Sequence, residues 1–189
     1  MAVHTPGWDL VTTLEHIHPP ITRRVLVPAS LTFLGLHHVI QAAMGWTDTH
    51  LFEFRIGNRT VSIPDGEPGP APDEWDASQH ALSEVRLKPG DRFTYLYDFG
   101  DDWWHTIEVV GSVEHVERPQ LLAGTGACPP EDVGGPPGYA EFLAAWADPR
   151  HPEHSAMRQW AKGRYQPEFN LSVAKARVAR AADDRDLRL

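Results

Sequence analysis

Alternation of apolar and polar side chains, the pattern of a half-buried β-strand, is strongest in the middle of the chain. Residues 93–99 alternate aromatic with other side chains, and residues 103–110 alternate again after a Gly-Asp-Asp segment. Two such runs around a short turn are typical of a β-hairpin. Weaker patterns predict further strands at residues 8–14, 23–27, 50–56 and 59–63.

Helical periodicity appears near the start and toward the end of the chain. Apolar residues recur every three or four positions over residues 31–44. A serine or threonine precedes this run, where it can cap a helix, and Gly45 suits the left-handed position after the end. The sequence also predicts a short helix at 139–146 and a last helix at about 170–182.

Two long segments rich in glycine and proline separate these elements. Residues 64–80 add acidic side chains and predict an exposed loop, and residues 119–138 predict a second loop. Strands and helices mix without a regular βαβ rhythm, which predicts an α+β fold with a mostly antiparallel sheet, an N-terminal amphipathic helix and C-terminal helices. A length of 189 residues suits one compact domain over 1–189, with its core at about 7–180.

The net charge of −9 is unevenly distributed along the chain. Residues 65–114 carry twelve acidic and three basic side chains, whereas residues 158–189 carry eight basic and four acidic ones. An acidic surface repels phosphate backbones, so nucleic acid is not the expected partner. The basic C-terminal stretch is most simply a solvated helix face, and it leaves DNA binding open as a third hypothesis. Its last five basic residues are Lys175, Arg177, Arg180, Arg185 and Arg188.

Other features of the composition narrow the class of protein. One cysteine excludes an internal disulfide framework and a multi-cysteine zinc finger. No apolar run approaches the roughly 20 residues of a membrane span, and the first residues lack the basic-then-apolar layout of a secretory signal. We therefore expect a cytoplasmic location and no membrane partner.

The predicted hairpin carries the densest group of chemically capable side chains. Around its turn stand Asp98, Asp101 and His105, flanked by Tyr97 and Trp103. A two-residue loop would place Asp98 opposite His105, about 5 Å away, where a carboxylate can orient an imidazole or a metal-bound histidine. A three-residue loop would place Tyr97 opposite His105 instead. The alternative is structural, with the acids bonded to turn amides and the aromatic rings in the core.

A second candidate segment runs from Cys128 to Tyr139 and reads Cys-Pro-Pro-Glu-Asp-Val-Gly-Gly-Pro-Pro-Gly-Tyr. Proline fixes φ and glycine permits positive φ, so the segment predicts a rigid loop that can hold a binding group. Glu131 and Asp132 can act as ligands or as an acid and a base, and Cys128 as a metal thiolate or a nucleophile. Alternatively, the two acids cap a turn or the next helix, and Cys128 is a small buried apolar residue.

Three histidines form the remaining candidate group. His37 and His38 are adjacent on the first predicted helix, where neighbouring side chains point about 100° apart, so we expect that they do not share one site. His50 follows that helix by six residues. A single helix histidine is more often a hydrogen-bonded polar residue than a metal ligand. The His-Glu-x-x-His, Gly-x-Ser-x-Gly and P-loop motifs are absent from the sequence.

Several sequence segments occur together, in order, in one known family. They are Pro20-Ile-Thr-Arg-Arg-Val-Leu-Val-Pro28, Leu36-His-His-Val-Ile-Gln41, Met44-Gly-Trp46, His50-Leu-Phe-Glu-Phe54, Tyr95-Leu-Tyr-Asp-Phe-Gly-Asp-Asp-Trp103 with His105, and the segment from Cys128 to Tyr139. With these segments the chain resembles the plasmid pRiA4b ORF-3-like family over about residues 7–180.

The resemblance implies a compact α+β domain, but it implies no activity. Gly35 stands where members commonly carry a polar residue, and Val133 stands where many carry cysteine, which removes a two-cysteine site. Members are sometimes labelled as transposon resolvases. A serine resolvase needs a nucleophilic serine among arginines and a basic DNA-binding region, and we find neither in this sequence.

Two functions fit the candidate residues. The simpler one is a non-catalytic binding or adaptor module, in which the hairpin at 95–105 and the loop at 128–139 form a surface for a protein, peptide or small ligand. The alternative is a metal-assisted or acid/base enzyme in the same place, in which Glu131 or Asp132 joins the hairpin residues. A divalent metal there would bind Asp98, Asp101 and His105, completed by Cys128 or His50. Both functions require the turn at 98–105 and the loop at 128–135 to face each other.

Overall fold

Eight strands form one sheet in the computed structural model, which describes residues 5–64 and 73–183. In chain order they are β1 (Gly7–Leu14), β2 (Ile21–Pro28), β3 (Phe52–Ile56), β4 (Arg59–Ser62), β5 (Glu74–Asp76), β6 (Arg92–Tyr97), β7 (Trp103–Val113) and β8 (Gln120–Thr125). Their order across the sheet is β5-β4-β3-β6-β7-β1-β2-β8, and all neighbours are antiparallel except β4 and β5. This arrangement confirms the predicted α+β class.

Within the described ranges, four helices accompany the sheet, together with one 3-10 turn at Leu82–Glu84. They are α1 (Phe33–Met44), α2 (Gly135–Ala147), α3 (His154–Trp160) and α4 (Leu171–Asp183). α1 agrees with the predicted helix and its caps, because Thr32 Oγ1 accepts a hydrogen bond from Gly35 N over 3.0 Å and Gly45 follows at a φ of 110°. α2 begins before the predicted position 139, since its first turn contains two prolines, whose fixed φ suits a helix start.

Two segments predicted as loops contain strands. β5 lies within 64–80, of which residues 65–72 are outside the described residues, and β8 lies within 119–138. Both are edge strands, and β8 buries only Leu121 fully. α3, which the sequence analysis also missed, has no buried residue. Elements that bury so little surface produce no apolar period that a sequence pattern could reveal.

Apolar side chains from α1 and from one face of the sheet form the core. Phe33 and Leu36 of α1 and Phe54, Tyr95 and Ile107 of the sheet are all fully buried. α4 packs against α1 and β8, and α2 packs against α3. No helix among the described residues combines the length and apolar character that crossing a bilayer requires.

Two arginines bind the C-terminal end of α1. Arg23 on β2 is only 1% exposed and donates to Ala43 O over 2.8 Å, and to three further backbone carbonyls around β2 and β8. Burial removes water from this guanidinium and lowers the pKa of Arg23 to about 10. Arg177 on α4 donates to Ala42 O over 2.8 Å. The end of α1, and with it the start of the following loop, is therefore held in place.

Candidate functional site

The turn between β6 and β7 is longer than either length considered from the sequence. Tyr97 pairs with Trp103 and Tyr95 pairs with His105, which leaves residues 98–102 as the turn. Asp98 and Asp102 adopt left-handed conformations, with φ of 58° and 55°, and Asp102 N donates to Asp98 O over 2.8 Å. The predicted pairing of His105 with Asp98, or with Tyr97, is therefore wrong, because two left-handed aspartates extend the turn.

His105 is a core residue and does not belong to the turn. Its ring is fully buried, 5.1 Å from the ring of Tyr95 and 5.5 Å from that of Trp46. Nδ1 lies 3.3 Å from Tyr95 O, and Nε2 has no hydrogen-bond partner. Burial lowers the pKa of His105 to about 4, so the ring is neutral at pH 7. Trp103 is buried as well, beside Trp46. Neither His105 nor Trp103 therefore reaches the protein surface.

The turn at 98–102 and the loop at 128–135 do meet. Gly134 N donates to Asp101 Oδ2 over 3.1 Å, and Tyr97 Oη donates to Glu131 Oε1 over 2.6 Å. At Gly135 a Cβ atom would lie 2.3 Å from Asp101 O, so only glycine permits this approach. The two segments that the sequence analysis required to face each other are thus in direct contact. Asp101 Oδ2 is used in this contact, and Asp101 is in neither group of closely spaced ligand atoms found among the described residues.

One histidine and two carboxylates converge beside this contact. His50 Nε2 lies 3.2 Å from Asp132 Oδ1 and 3.5 Å from Asp98 Oδ2. One ligand atom of each residue lies within 4.8 Å of the other two, a spacing at which all three can bind the same metal ion. Although His50 Nε2 is enclosed by the protein, it makes a hydrogen bond to neither carboxylate.

Local backbone geometry directs each member of this cluster. His50 lies in the loop between α1 and β3. Asp98 uses Oδ1 to accept hydrogen bonds from Gly100 N at 2.9 Å and Asp101 N at 3.3 Å, which leaves Oδ2 toward His50. Asp98 and Asp132 have φ of 58° and 61°, a region in which aspartate and asparagine are tolerated better than most residues.

Glu131 connects the loops and is not a member of the cluster. Its carboxylate accepts hydrogen bonds from Thr47 N at 3.2 Å, Thr49 Oγ1 at 3.4 Å and the Tyr97 hydroxyl, and a short one from Thr47 Oγ1. Burial and the adjacent carboxylate together raise the pKa of Tyr97 above its usual value. With its oxygens occupied in this way, Glu131 holds the loops together.

A closed ring of hydrogen bonds supports the loop that carries His50. Gln41 Nε2 donates to Tyr95 Oη over 3.0 Å, and Asp48 N donates to Gln41 Oε1 over 3.1 Å. His37 completes the ring, with Nδ1 at 2.8 Å from Tyr95 Oη and Nε2 at 2.7 Å from Asp48 Oδ1. Since the Asp48 carboxylate can only accept, His37 Nε2 carries the proton of the neutral ring, and Nδ1 accepts from the Tyr95 hydroxyl.

The expectation that His37 and His38 cannot share a site is wrong. His38 Nε2 lies 3.5 Å from Asp48 Oδ2, while His37 binds the other oxygen of that carboxylate. The loop after α1 brings Asp48 back against the helix, where its two oxygens reach both rings. Burial lowers the pKa of His37 and outweighs the opposing effect of Asp48. In this second His/Asp group both ring nitrogens of His37 make hydrogen bonds, and the group supports the loop that carries His50.

Cys128 and the described part of the basic C-terminal helix contribute no ligand atom to the cluster. Burial raises the pKa of the Cys128 thiol to about 12, so it supplies no thiolate at neutral pH, and its nearest charges include Arg23 and Arg177. Arg177 is committed to the end of α1. Arg185 and Arg188 lie outside the described residues. Sequence reasoning missed Asp48, Thr47 and Thr49, although the polar Thr-Asp-Thr-His run after Gly45 was the available signal.

The fold and the cluster define a single-domain α+β protein with a histidine–carboxylate group where three loops meet. The chain belongs to the plasmid pRiA4b ORF-3-like protein family, whose model matches residues 8–173, and this match confirms the resemblance of the sequence segments. No catalytic function is established for the family.

Two relatives illustrate this membership. The chain is 47% identical over 154 residues to the uncharacterized protein y4hQ of Sinorhizobium fredii (strain NBRC 101917 / NGR234), a match that covers 80% of this chain and 78% of that protein. It also resembles the crystal structure of MM3350, a protein of unknown function from Methanosarcina mazei Go1. That likeness has a TM-score of 0.76 at 31% identity and covers 89% of this chain and 96% of the other.

Proposed function

We propose that this chain binds a divalent metal ion through His50, Asp98 and Asp132. One imidazole nitrogen and two carboxylate oxygens form a donor set that suits zinc, manganese or ferrous iron. No thiolate joins them, because desolvation raises the pKa of the partly buried Cys128 thiol to about 12. The proposal retains Asp98 and His50 from the sequence-based ligand set and replaces Asp101, His105 and Cys128 with Asp132.

The observation that carries the proposal is the unused nitrogen of His50. A protonated imidazole that formed an ordinary ion pair would direct its N–H at one carboxylate. Here Nε2 lies near both carboxylates, at 3.2 and 3.5 Å, and makes a hydrogen bond to neither. An enclosed nitrogen without a partner is costly in a folded protein, whereas a cation between the three groups would use its lone pair.

The exposure of the three side chains indicates that an ion bound by them would be accessible to other molecules. Asp98 is 11% exposed and His50 28%, but Asp132 is 63% exposed. Three protein ligands on one side leave coordination positions for water or an outside ligand on the other side. Such an ion can polarise a bound carbonyl or phosphoryl group, or lower the pKa of a bound water. This is the chemistry that the alternative function, a metal-assisted enzyme, requires.

The test is a metal titration of protein that has been stripped of metal with a chelator. We expect one Zn²⁺ or Mn²⁺ per chain by isothermal calorimetry and elemental analysis. Asp98→Asn, Asp132→Asn and His50→Gln should each weaken binding at least about tenfold, as expected when a ligand is lost. Asparagine suits the left-handed backbone at both aspartates, so these variants should fold.

Asp102→Asn provides the matched control. Asp102 lies in the same turn, has a φ of 55° and is exposed, but it is not in the cluster. The control changes the same charge in the same backbone conformation, and its affinity should stay within about twofold of the unmodified protein. Absence of stoichiometric metal, or equal weakening by the control, would overturn the proposal.

We also infer a cytoplasmic location and a partner other than nucleic acid. A single cysteine whose thiol is buried and protonated is consistent with a reducing compartment, where disulfides are rare. The loops that form the cluster, residues 45–51, 98–102 and 129–135, carry six acidic residues and no lysine or arginine. This charge distribution repels phosphate. An electrophoretic shift with duplex DNA at low salt would contradict the second inference.

A further inference from the structure

We propose that the rim of the His50 cluster binds a polypeptide segment that carries basic and apolar side chains. The proposal rests on the proposed function for the position of the site and names its partner class. The rim consists of Leu51 and Phe99, together with the acidic side chains around them. It gives a specific form to the binding-module function expected from the sequence.

Two apolar side chains project into solvent directly beside the cluster. Leu51 is 68% exposed and Phe99 is 48% exposed. Each follows a cluster residue in the chain, Leu51 after His50 and Phe99 after Asp98. Asp98 N donates to Leu51 O over 2.9 Å, which holds the two segments side by side. Single exposed apolar residues are ordinary, but two on adjacent segments at one site are typical of a contact surface.

The charge of the same loops selects the kind of partner. Residues 45–51, 98–102 and 129–135 contain no lysine or arginine. A bound divalent ion would neutralise only the two carboxylates that hold it, and exposed Asp102 would keep its negative charge. The rim therefore attracts cations and repels anions. The six acidic residues of these loops are Asp48, Asp98, Asp101, Asp102, Glu131 and Asp132.

A polypeptide matches these features better than a small cation does. The two apolar and six acidic positions are spread over three loops, so one ligand must supply apolar contacts and positive charge at several points. A short chain segment with lysine or arginine beside leucine or phenylalanine does this, since its alternate side chains can take different roles. A second copy of this chain is the competing occupant, and the experiment separates the two.

The experiment measures binding of two fluorescent synthetic peptides by anisotropy, one of alternating lysine and leucine and one of alternating glutamate and leucine. Protein is used both free of metal and loaded with Zn²⁺. We expect the lysine peptide to bind and the glutamate peptide to bind at least about tenfold more weakly. The double variant Leu51→Ser/Phe99→Ser should lose about tenfold or more in affinity for the lysine peptide. Asp102→Asn should weaken binding by about twofold to threefold, an effect that salt reduces.

Matched control variants distinguish peptide binding at the rim from nonspecific binding to exposed apolar side chains. Ile63 and Val173 are exposed by 45% and 50% and lie elsewhere, so Ile63→Ser and Val173→Ser should leave the affinity unchanged. Equal binding of both peptides, or equal binding by the rim and control variants, would overturn the proposal. So would a dimer in sedimentation that the double rim variant abolishes, because the occupant would then be a second copy. Peptide binding without any metal binding would refute the proposed function alone, and metal binding without peptide binding would refute this inference alone.

Discussion

Replacing Glu131 with alanine should destabilise the protein by about 3 kcal/mol. Four hydrogen bonds reach this carboxylate, from Tyr97, from Thr49 and twice from Thr47. A hydrogen bond to a charged group contributes roughly 1.5–3 kcal/mol when it is sheltered, and the bond of 2.6 Å from the hydroxyl of the buried Tyr97 belongs to this class. The threonine donors are exposed, so water replaces much of their loss and they add about 0.5 kcal/mol each.

Two further variants test this division of the energy. Tyr97→Phe removes the sheltered bond to Glu131 and also the bond that Thr49 N donates to the hydroxyl over 3.1 Å, so it should cost about 2–3 kcal/mol. Glu131→Gln keeps one acceptor oxygen but loses the charge, so it should fall between the alanine variant and the unmodified protein. In a double-mutant cycle, Tyr97→Phe with Glu131→Ala should cost clearly less than the sum of the single changes, because both remove the same bond.

The assay is urea unfolding followed by tryptophan fluorescence, with the free energy of unfolding extrapolated to water. Glu141→Ala is the control, since Glu141 is an exposed residue on α2, and it should change stability by less than about 0.5 kcal/mol. A Glu131→Ala protein within that same range would refute the assignment of Glu131 as the connection between the loops. Metal affinity should fall as well, because Glu131 positions the neighbouring Asp132.

Three other predictions follow from buried groups. The pKa of His105 is lowered from 6.5 to about 4 by burial, so as pH falls through this range the unfolded state takes up a proton first. The free energy of unfolding, measured in urea, should fall by about 3 kcal/mol from pH 7 to pH 4 and should lose no more to this group below the pKa of the folded state. His105→Phe should reduce this dependence of stability on pH. The Cys128 thiol, whose pKa burial raises to about 12, should not react with a thiol reagent at pH 8 until denaturant is added; rapid reaction of the native protein would contradict its burial. Arg23→Met should lower stability by about 3–4 kcal/mol in urea unfolding, because it leaves Ala43 O and other sheltered carbonyls without a donor.

The parts of the fold that the sequence predicts well are those that bury the most apolar surface. α1 has a complete apolar stripe, a side-chain cap and a glycine end, and all three are present. The hairpin of β6 and β7 has aromatic residues on its buried face. The sequence does not predict β8 and α3, because neither element has a periodic apolar pattern of its own. Contacts with a few neighbouring residues stabilise them instead.

The site was predicted less completely, for a different physical reason. Asp98, Asp132 and His50 were each identified as chemically capable, but their grouping depends on turn geometry. Two left-handed aspartates lengthen the hairpin turn, which moves Asp98 from the strand into the turn beside His50 and leaves His105 in the core. Residue type indicates which side chains can do chemistry, whereas a shift of one or two positions in register decides which of them meet.

Three aspartates adopt left-handed backbone conformations beside histidines, which indicates that these positions require a carboxylate and not merely a turn residue. Glycine adopts positive φ without steric cost, and the chain uses it at Gly45 and Gly134. Asp48, Asp98 and Asp132 accept that conformation instead, at a cost of order 1 kcal/mol each, and each places a carboxylate oxygen within 3.5 Å of a histidine nitrogen. A strained backbone conformation persists where the surrounding structure stabilises it and where the side chain makes an interaction that glycine could not make. Asp48 uses Oδ1 to hold His37, while Asp98 and Asp132 face a nitrogen that has no hydrogen bond, and that difference supports our proposal that the second group binds a cation.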